Sequence, residues 1–199
     1  MSRIYRVILA LFIFSSPLYL AAADEEPPGW KAGTARIVIT PDKNIWMAGY
    51  AARTQPAQGK IHDLYAKALL LEDAFGNSGL FITADLLGFP KPLSDQIRQR
   101  LTEELGLSRA SIILNSSHTH SGPVLSDALT PIYPLDEIQK AEIEEYSSWL
   151  IEQMVKVSHK AKRSMKPATL LSGSGVVRFQ VNRRNNQESQ VDQQAFLKG

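Results

Sequence analysis

The sequence predicts an α/β fold built on a partly parallel mixed sheet with a βαβ crossover and flanking helices. Three observations carry that expectation. Two apolar segments, Tyr65 to Glu72 and Gly79 to Leu86, flank a polar stretch that contains the pair Gly76-Asn77, the pattern of a β-hairpin. Between Pro92 and Leu105 the apolar residues Leu93, Ile97, Leu101 and Leu105 recur every fourth position, which puts them on one helical face. The apolar run Ser111 to Asn115 follows. Strand, helix and strand then stand at the spacing of a right-handed crossover, so the strands ending near Asp85 and Ser116 should run parallel.

The remaining elements follow in order. Arg36 to Thr40 is a β-branched run stopped by Pro41 and reads as a first strand. Trp46 to Ala52 is apolar around Gly49; it reads either as a loop that brings backbone close to a ligand or as a packed turn. In the first helix Ser94 is placed to cap the start and Gly106 to end it in a left-handed conformation. A second helix is predicted from Leu135 to Arg163, with Ile138, Tyr146, Leu150, Met154 and Val157 toward the core and a solvated polar face. Thr169 to Leu171 and Val176 to Val181 read as further strands, and Asn182 to Gln194 as a polar tail.

The chain has 199 residues, 44% hydrophobic and 21% charged, the balance of one folded domain or an incomplete larger one. It contains no cysteine, which excludes disulfides, thiol nucleophiles and cysteine zinc sites. Residues 1–23 have the layout of a cleaved secretory signal peptide: Arg3 and Arg6, an apolar run from Val7 to Phe14, then Ala21-Ala22-Ala23. That predicts a secreted or periplasmic protein. Residues 24–34 read as a flexible lead-in and 35–199 as the folded unit. Without Arg3 and Arg6 the 22 basic residues fall to 20, equal to the 20 acidic ones. A neutral chain lacks the concentrated positive charge that a nucleic-acid binder needs, so no nucleic-acid partner is expected.

The sharpest local feature is Asn115-Ser116-Ser117-His118-Thr119-His120-Ser121-Gly122-Pro123. Two imidazoles at i and i+2 share a side if the backbone stays extended. Such a pair either chelates a cation such as zinc or divides into one ligand and one substrate-contacting group. The carboxyl ends of parallel strands form the ligand-binding rim of an α/β sheet, and that rim should also carry Asp85. A catalytic zinc takes at least three protein ligands, and the chain has four histidines. His62, in a loop entering the sheet, reads equally as structural or functional; His159 reads as a solvated helix residue. Nucleophile-elbow, P-loop, dinucleotide-binding and His-Glu-x-x-His motifs do not occur. Ser116, Ser117 and Ser121 read as hydrogen-bonding support for the imidazoles rather than as nucleophiles.

Five runs, in this order and spacing, resemble the N-terminal part of the neutral/alkaline ceramidase family, exported zinc amidases that cleave the N-acyl bond of ceramide. They are Met47 to Tyr50, Gly59 to Ala68, Ile82 to Leu86, Asn115 to Pro123 and Val181 to Arg183. The resemblance implies a Zn2+ ion held by His118, with His120 as the catalytic histidine facing substrate. It also implies Gly49, Tyr50, His62 and Asp85 at the substrate, which would be ceramide or another N-acyl lipid reached from a membrane or lipid surface. In that family a second His, a Glu and a Tyr that complete the zinc site come from beyond the Asn182-Arg183 segment, whereas no His follows His159 here. The expectation is therefore an incomplete catalytic domain, lacking its C-terminal portion, that holds zinc poorly in isolation. A non-catalytic exported remnant binding lipid or carbohydrate is the alternative. A third reading, an unrelated metal hydrolase, would use His118, His120 and Asp85 together.

Overall fold

The computed structural model describes residues 29–177 and 188–190. The expected signal peptide and much of the polar tail, including the Val181 to Arg183 run, lie outside them. Among the described residues no helix is long and apolar enough to cross a membrane.

Five strands form one mixed sheet: β1 (Trp30–Val38), β2 (Tyr65–Glu72), β3 (Ser78–Ala84), β4 (Ile112–Ser116) and β5 (Lys166–Ala168), in the order β4-β3-β2-β1-β5. The hairpin is formed as predicted, with Glu72 opposite Ser78. Its turn rests on Asp73, whose carboxylate accepts from the backbone N–H groups of Phe75 and Asn77, while Gly76 takes a positive φ of 83°. The crossover is also formed: β3 and β4 are parallel, with Ala84 opposite Ser116, and α1 (Lys91–Leu105) connects them.

Several boundaries differ from expectation. β1 starts at Trp30 and ends at Val38, so Trp30 to Gly33 belongs to the sheet and not to a flexible lead-in. Lys31-Ala32-Gly33 has little strand propensity of its own and is ordered by pairing with β2 and β5. Ser94 does not cap α1. The helix is entered through the extended Pro90, with a second proline in its first turn, where the missing N–H costs nothing, and Ser94 instead accepts from Arg98. Gly106 ends the helix at φ 74° as expected. The second helix, α2 (Glu137–Arg163), is capped by Asp136, whose carboxylate takes the Gln139 N–H while the Gln139 side chain returns to the Asp136 N–H. Ile138 is 73% exposed and Ile143 fills the first core position instead. Thr169 to Leu171 forms no strand, nor do Val176 and Val177; the short β5 lies just before them.

Both helices cover one face of the sheet, α2 against β1 and β2 and α1 against α2. The inward row Ala68, Leu70, Leu80, Ile82 and Ile112 meets Ile97, Leu101, Leu150, Met154 and Val157, all buried. Each large side chain so removed from water contributes roughly 1.5–3 kcal/mol. This core fixes the carboxyl ends of β3 and β4 side by side, and the loops leaving them carry the candidate site.

Candidate functional site

The two chains leaving β3 and β4 are tied at once: the Ser117 N–H donates to the Ala84 carbonyl at 3.0 Å. Asp85 and the histidine segment therefore do share one rim. A third strand-like segment closes over them. The Ala48 N–H donates to the Gly122 carbonyl and the Val124 N–H to the Trp46 carbonyl, both at 2.8 Å, around a bridge between Met47 and Pro123. The stretch from Trp46 onward is thus paired backbone that lays Gly49 and Tyr50 against His120.

The backbone does not stay extended through the pair. β4 ends at Ser116 and His118 enters the left-handed region at φ 56°, so the alternation expected of a strand is lost. The rings nonetheless meet, with centroids 5.2 Å apart and planes at 73°. Tertiary contacts, not strand periodicity, bring them together. His118 is exposed, and its Nδ1 lies 2.7 Å from the Leu87 carbonyl. A carbonyl oxygen only accepts, so Nδ1 carries the proton and Nε2 presents a lone pair, the form in which imidazole binds a cation.

His120 is held differently. Its ring lies against Gly49, where an added Cβ would sit 2.4 Å from His120 Cγ. Tyr50 packs edge-on against the same His120 ring, with centroids 4.7 Å apart. His120 Nδ1 is buried without a hydrogen-bond partner. The tautomer with its proton on Nε2 avoids burying an unpaired N–H donor there and leaves Nε2 as the donor. Gly49, at φ 106°, donates its N–H to the Tyr133 hydroxyl at 2.9 Å, and Tyr133 is buried.

His62 and Asp85 are not part of this cluster. They line a neighbouring cleft of about 770 Å³ together with Ile45, Met47, Ser117 and Thr119. The cleft is bordered by Ser117, Thr119 and Ser121, the residues that alternate with the two histidines. Asp85 is engaged in structure: its Oδ2 accepts the Tyr65 N–H at 2.9 Å, starting β2. Among the described residues no group of three His, Asp or Glu side chains is arranged to hold a metal ion, so His118, His120 and Asp85 do not form a cage. The Ser116 hydroxyl bonds to no imidazole but donates to the Leu87 carbonyl at 3.4 Å, the same oxygen that His118 Nδ1 meets, and the Ser121 main-chain N–H donates to the Thr119 hydroxyl. His159 also differs from expectation, since its Nε2 lies 2.9 Å from Glu104 and joins α2 to α1.

Behind the cleft residues Lys60 and Thr40, Asp63 accepts from Lys60 at 2.6 Å and from Thr40 at 3.1 Å. These bonds, Lys60 foremost, hold its carboxyl below the usual carboxylate range. Thr40 accepts the Leu64 N–H, so the loop bearing His62 is anchored to the end of β1. Sequence reasoning missed Arg53 and Tyr133. Neither lies in a motif, and each reaches the site only through the fold.

The sequence profile of the neutral/alkaline non-lysosomal ceramidase N-terminal region matches residues 30–192. Over 118 residues the chain is 30% identical to the neutral ceramidase of Drosophila pseudoobscura pseudoobscura, covering 58% of this chain and 16% of that protein. Over 152 residues it is 28% identical to neutral ceramidase A of Dictyostelium discoideum, covering 73% and 21%. It thus spans about a fifth of the length of these relatives. The fold is similar to that of neutral ceramidase from Pseudomonas aeruginosa, with a TM-score of 0.58 at 20% identity over 71% of this chain and 23% of that one. It is equally similar to a ceramidase complexed with C2, at a TM-score of 0.57 and 20% identity, over 70% and 22%. With most of its length matched by the family's own profile, the chain belongs to the neutral/alkaline non-lysosomal ceramidase family.

Proposed function

We propose that this chain forms the N-terminal portion of the catalytic domain of an exported, zinc-dependent amide hydrolase. Its reaction would cleave the N-acyl bond of ceramide or a similar sphingolipid to a sphingoid base and a fatty acid. Family membership supports the hydrolase class, and the relatives' being neutral ceramidases supports the substrate. The layout of residues 1–23 supports export. The observation that carries the reading is the division of labour within the histidine pair.

His118 fits a metal ligand, because its Nδ1–H is committed to the Leu87 carbonyl and its exposed ring keeps the Nε2 lone pair free. With no group of three His, Asp or Glu side chains arranged to hold a metal ion among the described residues, it would supply part of a cage. When bound, zinc supplies Lewis acidity that activates water near neutral pH and polarises an otherwise unreactive amide. His120 fits the second role. Wedged between Gly49 and Tyr50, its ring is held in place with Nε2–H as a donor for the tetrahedral oxyanion or for the departing amine. Gly49 and Tyr50 act by fixing that ring, while His62 and Asp85 border the adjoining cleft, where the lipid approaching from a membrane surface would be received.

The test is hydrolysis of a fluorescent N-acyl sphingosine by the full-length protein in the presence of zinc, with release of free fatty acid followed by chromatography. The reading requires release that stops on chelation and returns with zinc. No release from any N-acyl sphingoid base at saturating zinc would overturn it.

A further inference from the structure

Arg53 lies outside every motif, yet its side chain closes a ring of contacts around His120. The chain turns back at Tyr50, whose carbonyl accepts the Arg53 N–H at 3.3 Å. That turn lays the guanidinium over the Tyr50 ring, 5.3 Å from its centroid. The Arg53 Nη2 donates at 2.7 Å to the peptide carbonyl of His120, and the Tyr50 ring packs against the His120 ring at 4.7 Å. One guanidinium therefore grips the same histidine twice, at its main chain directly and at its ring through Tyr50. We propose that Arg53 is a positioning residue that fixes the orientation of His120.

The need for such a device follows from the local backbone. The segment has just passed through His118 in the left-handed region, which is strained for a residue with a side chain. Beyond β4 no strand ladder holds His120. Gly49 presents only bare backbone to one side of the ring, which limits the ring without pulling it into place. Arginine suits the task better than lysine, since its planar fork donates in a fixed direction while its face stacks on an aromatic ring. A lysine keeps the charge and loses that combination.

This inference rests on the proposed role of His120 as a donor to substrate, and the experiment separates the two. In full-length protein labelled with 15N at histidine, the four imidazoles of this chain are assigned by substitution, and a long-range 15N–1H spectrum shows which nitrogen of each carries the proton. In the unaltered protein His120 should give a single, protonated Nε2 pattern. Arg53→Lys should broaden or average the His120 pattern while His159 on α2, paired with Glu104, stays unmoved. Tyr50→Leu, which removes the stacked ring and leaves the guanidinium, should reproduce that change, whereas Tyr50→Phe should not. In the turnover assay Arg53→Lys should lower kcat about 100-fold, as expected for a misplaced catalytic group, with KM nearly unchanged. A His120 pattern unchanged in both Arg53→Lys and Tyr50→Leu overturns the proposal. If Arg53→Lys shifts every histidine, the fold has been lost and Tyr50→Leu alone decides. The spectrum requires no turnover, so it judges Arg53 even if N-acyl sphingosine proves not to be a substrate.

Discussion

Gly49 and His120 are in contact so close that glycine is the only residue the geometry admits: a Cβ at position 49 would stand 2.4 Å from His120 Cγ and 2.6 Å from its Nδ1. The positive φ of 106° independently disfavours any side chain there. Gly49→Ala should therefore displace the His120 ring. We expect kcat/KM toward an N-acyl sphingosine to fall by about 100-fold, the scale of a misplaced catalytic group. Thermal unfolding should show a loss of about 1–3 kcal/mol from the backbone strain. A Gly49→Ala protein with unaltered kinetics would show that this contact does not serve the reaction.

Tyr133 reaches the same glycine from the far side, and its hydroxyl is the acceptor for the Gly49 N–H. Tyr133→Phe keeps the buried ring and orphans that donor, which costs about 1–3 kcal/mol. Denaturant titration should find the loss, and hydrogen exchange at the Gly49 amide should accelerate. An unchanged Gly49 exchange rate would contradict the assigned bond.

A second close approach lies away from the site, where β1 passes beneath the end of α2. A Cβ on Gly33 would be 2.0 Å from the Ala161 carbonyl oxygen and 2.7 Å from the Met165 side chain. The Ala161 neighbour is helix backbone, which leaves little room to yield. Gly33→Ala should destabilise the fold by about 3 kcal/mol, the upper part of the usual overpacking range, read as a lower denaturant midpoint. Stability equal to that of the unaltered protein would mean that α2 does not seat on β1 as described.

Acid should weaken the junction between α1 and the turn leading into β4. Hydrogen bonds from Lys91 first and Arg109 second hold the Asp95 carboxyl at about 2. A carboxylate with a depressed folded-state pKa contributes stability that is fully present above its unfolded value of 3.8 and is lost as pH falls toward 2. Both oxygens are at the surface, so salt should screen the effect. The melting temperature of Asp95→Asn should accordingly fall less than that of the unaltered protein between pH 4 and pH 2, by about one titrating group's worth of slope. Parallel curves would remove Asp95 from the acid response.

The parts of this molecule legible in the sequence are those set by local periodicity or local backbone chemistry. Leu93, Ile97 and Leu101 announce a helical face, Gly106 its left-handed end, and the segment around Gly76 a hairpin turn. Parallel pairing of β3 with β4 follows from the connecting helix. Tertiary context decided the rest. Lys31 to Gly33 is strand because β2 and β5 lie on either side. Asp136 outcompetes other starts for α2 because Gln139 completes a reciprocal cap. At the site, the His118 and His120 pair is visible as a motif, but its geometry is not, since the left-handed turn at His118 breaks the strand rule. Asp85 reads as a rim carboxylate and is occupied by the Tyr65 N–H. Arg53 and Tyr133 leave no signal in spacing, because a contact made 67 or 84 residues away is invisible to any short window.

Under the proposed function His118 and His120, neighbours in the chain, have unequal roles: one holds the cation and the other faces substrate. Metal content of the purified full-length protein, measured by mass spectrometry after equal zinc loading, addresses that directly. His118→Ala should contain essentially no zinc and have no activity. His120→Ala should keep about one zinc per chain, as a lost donor leaves the cation's ligands intact, while activity is abolished or nearly so. Zinc retained at one equivalent by His118→Ala, or lost from His120→Ala, would contradict the assignment.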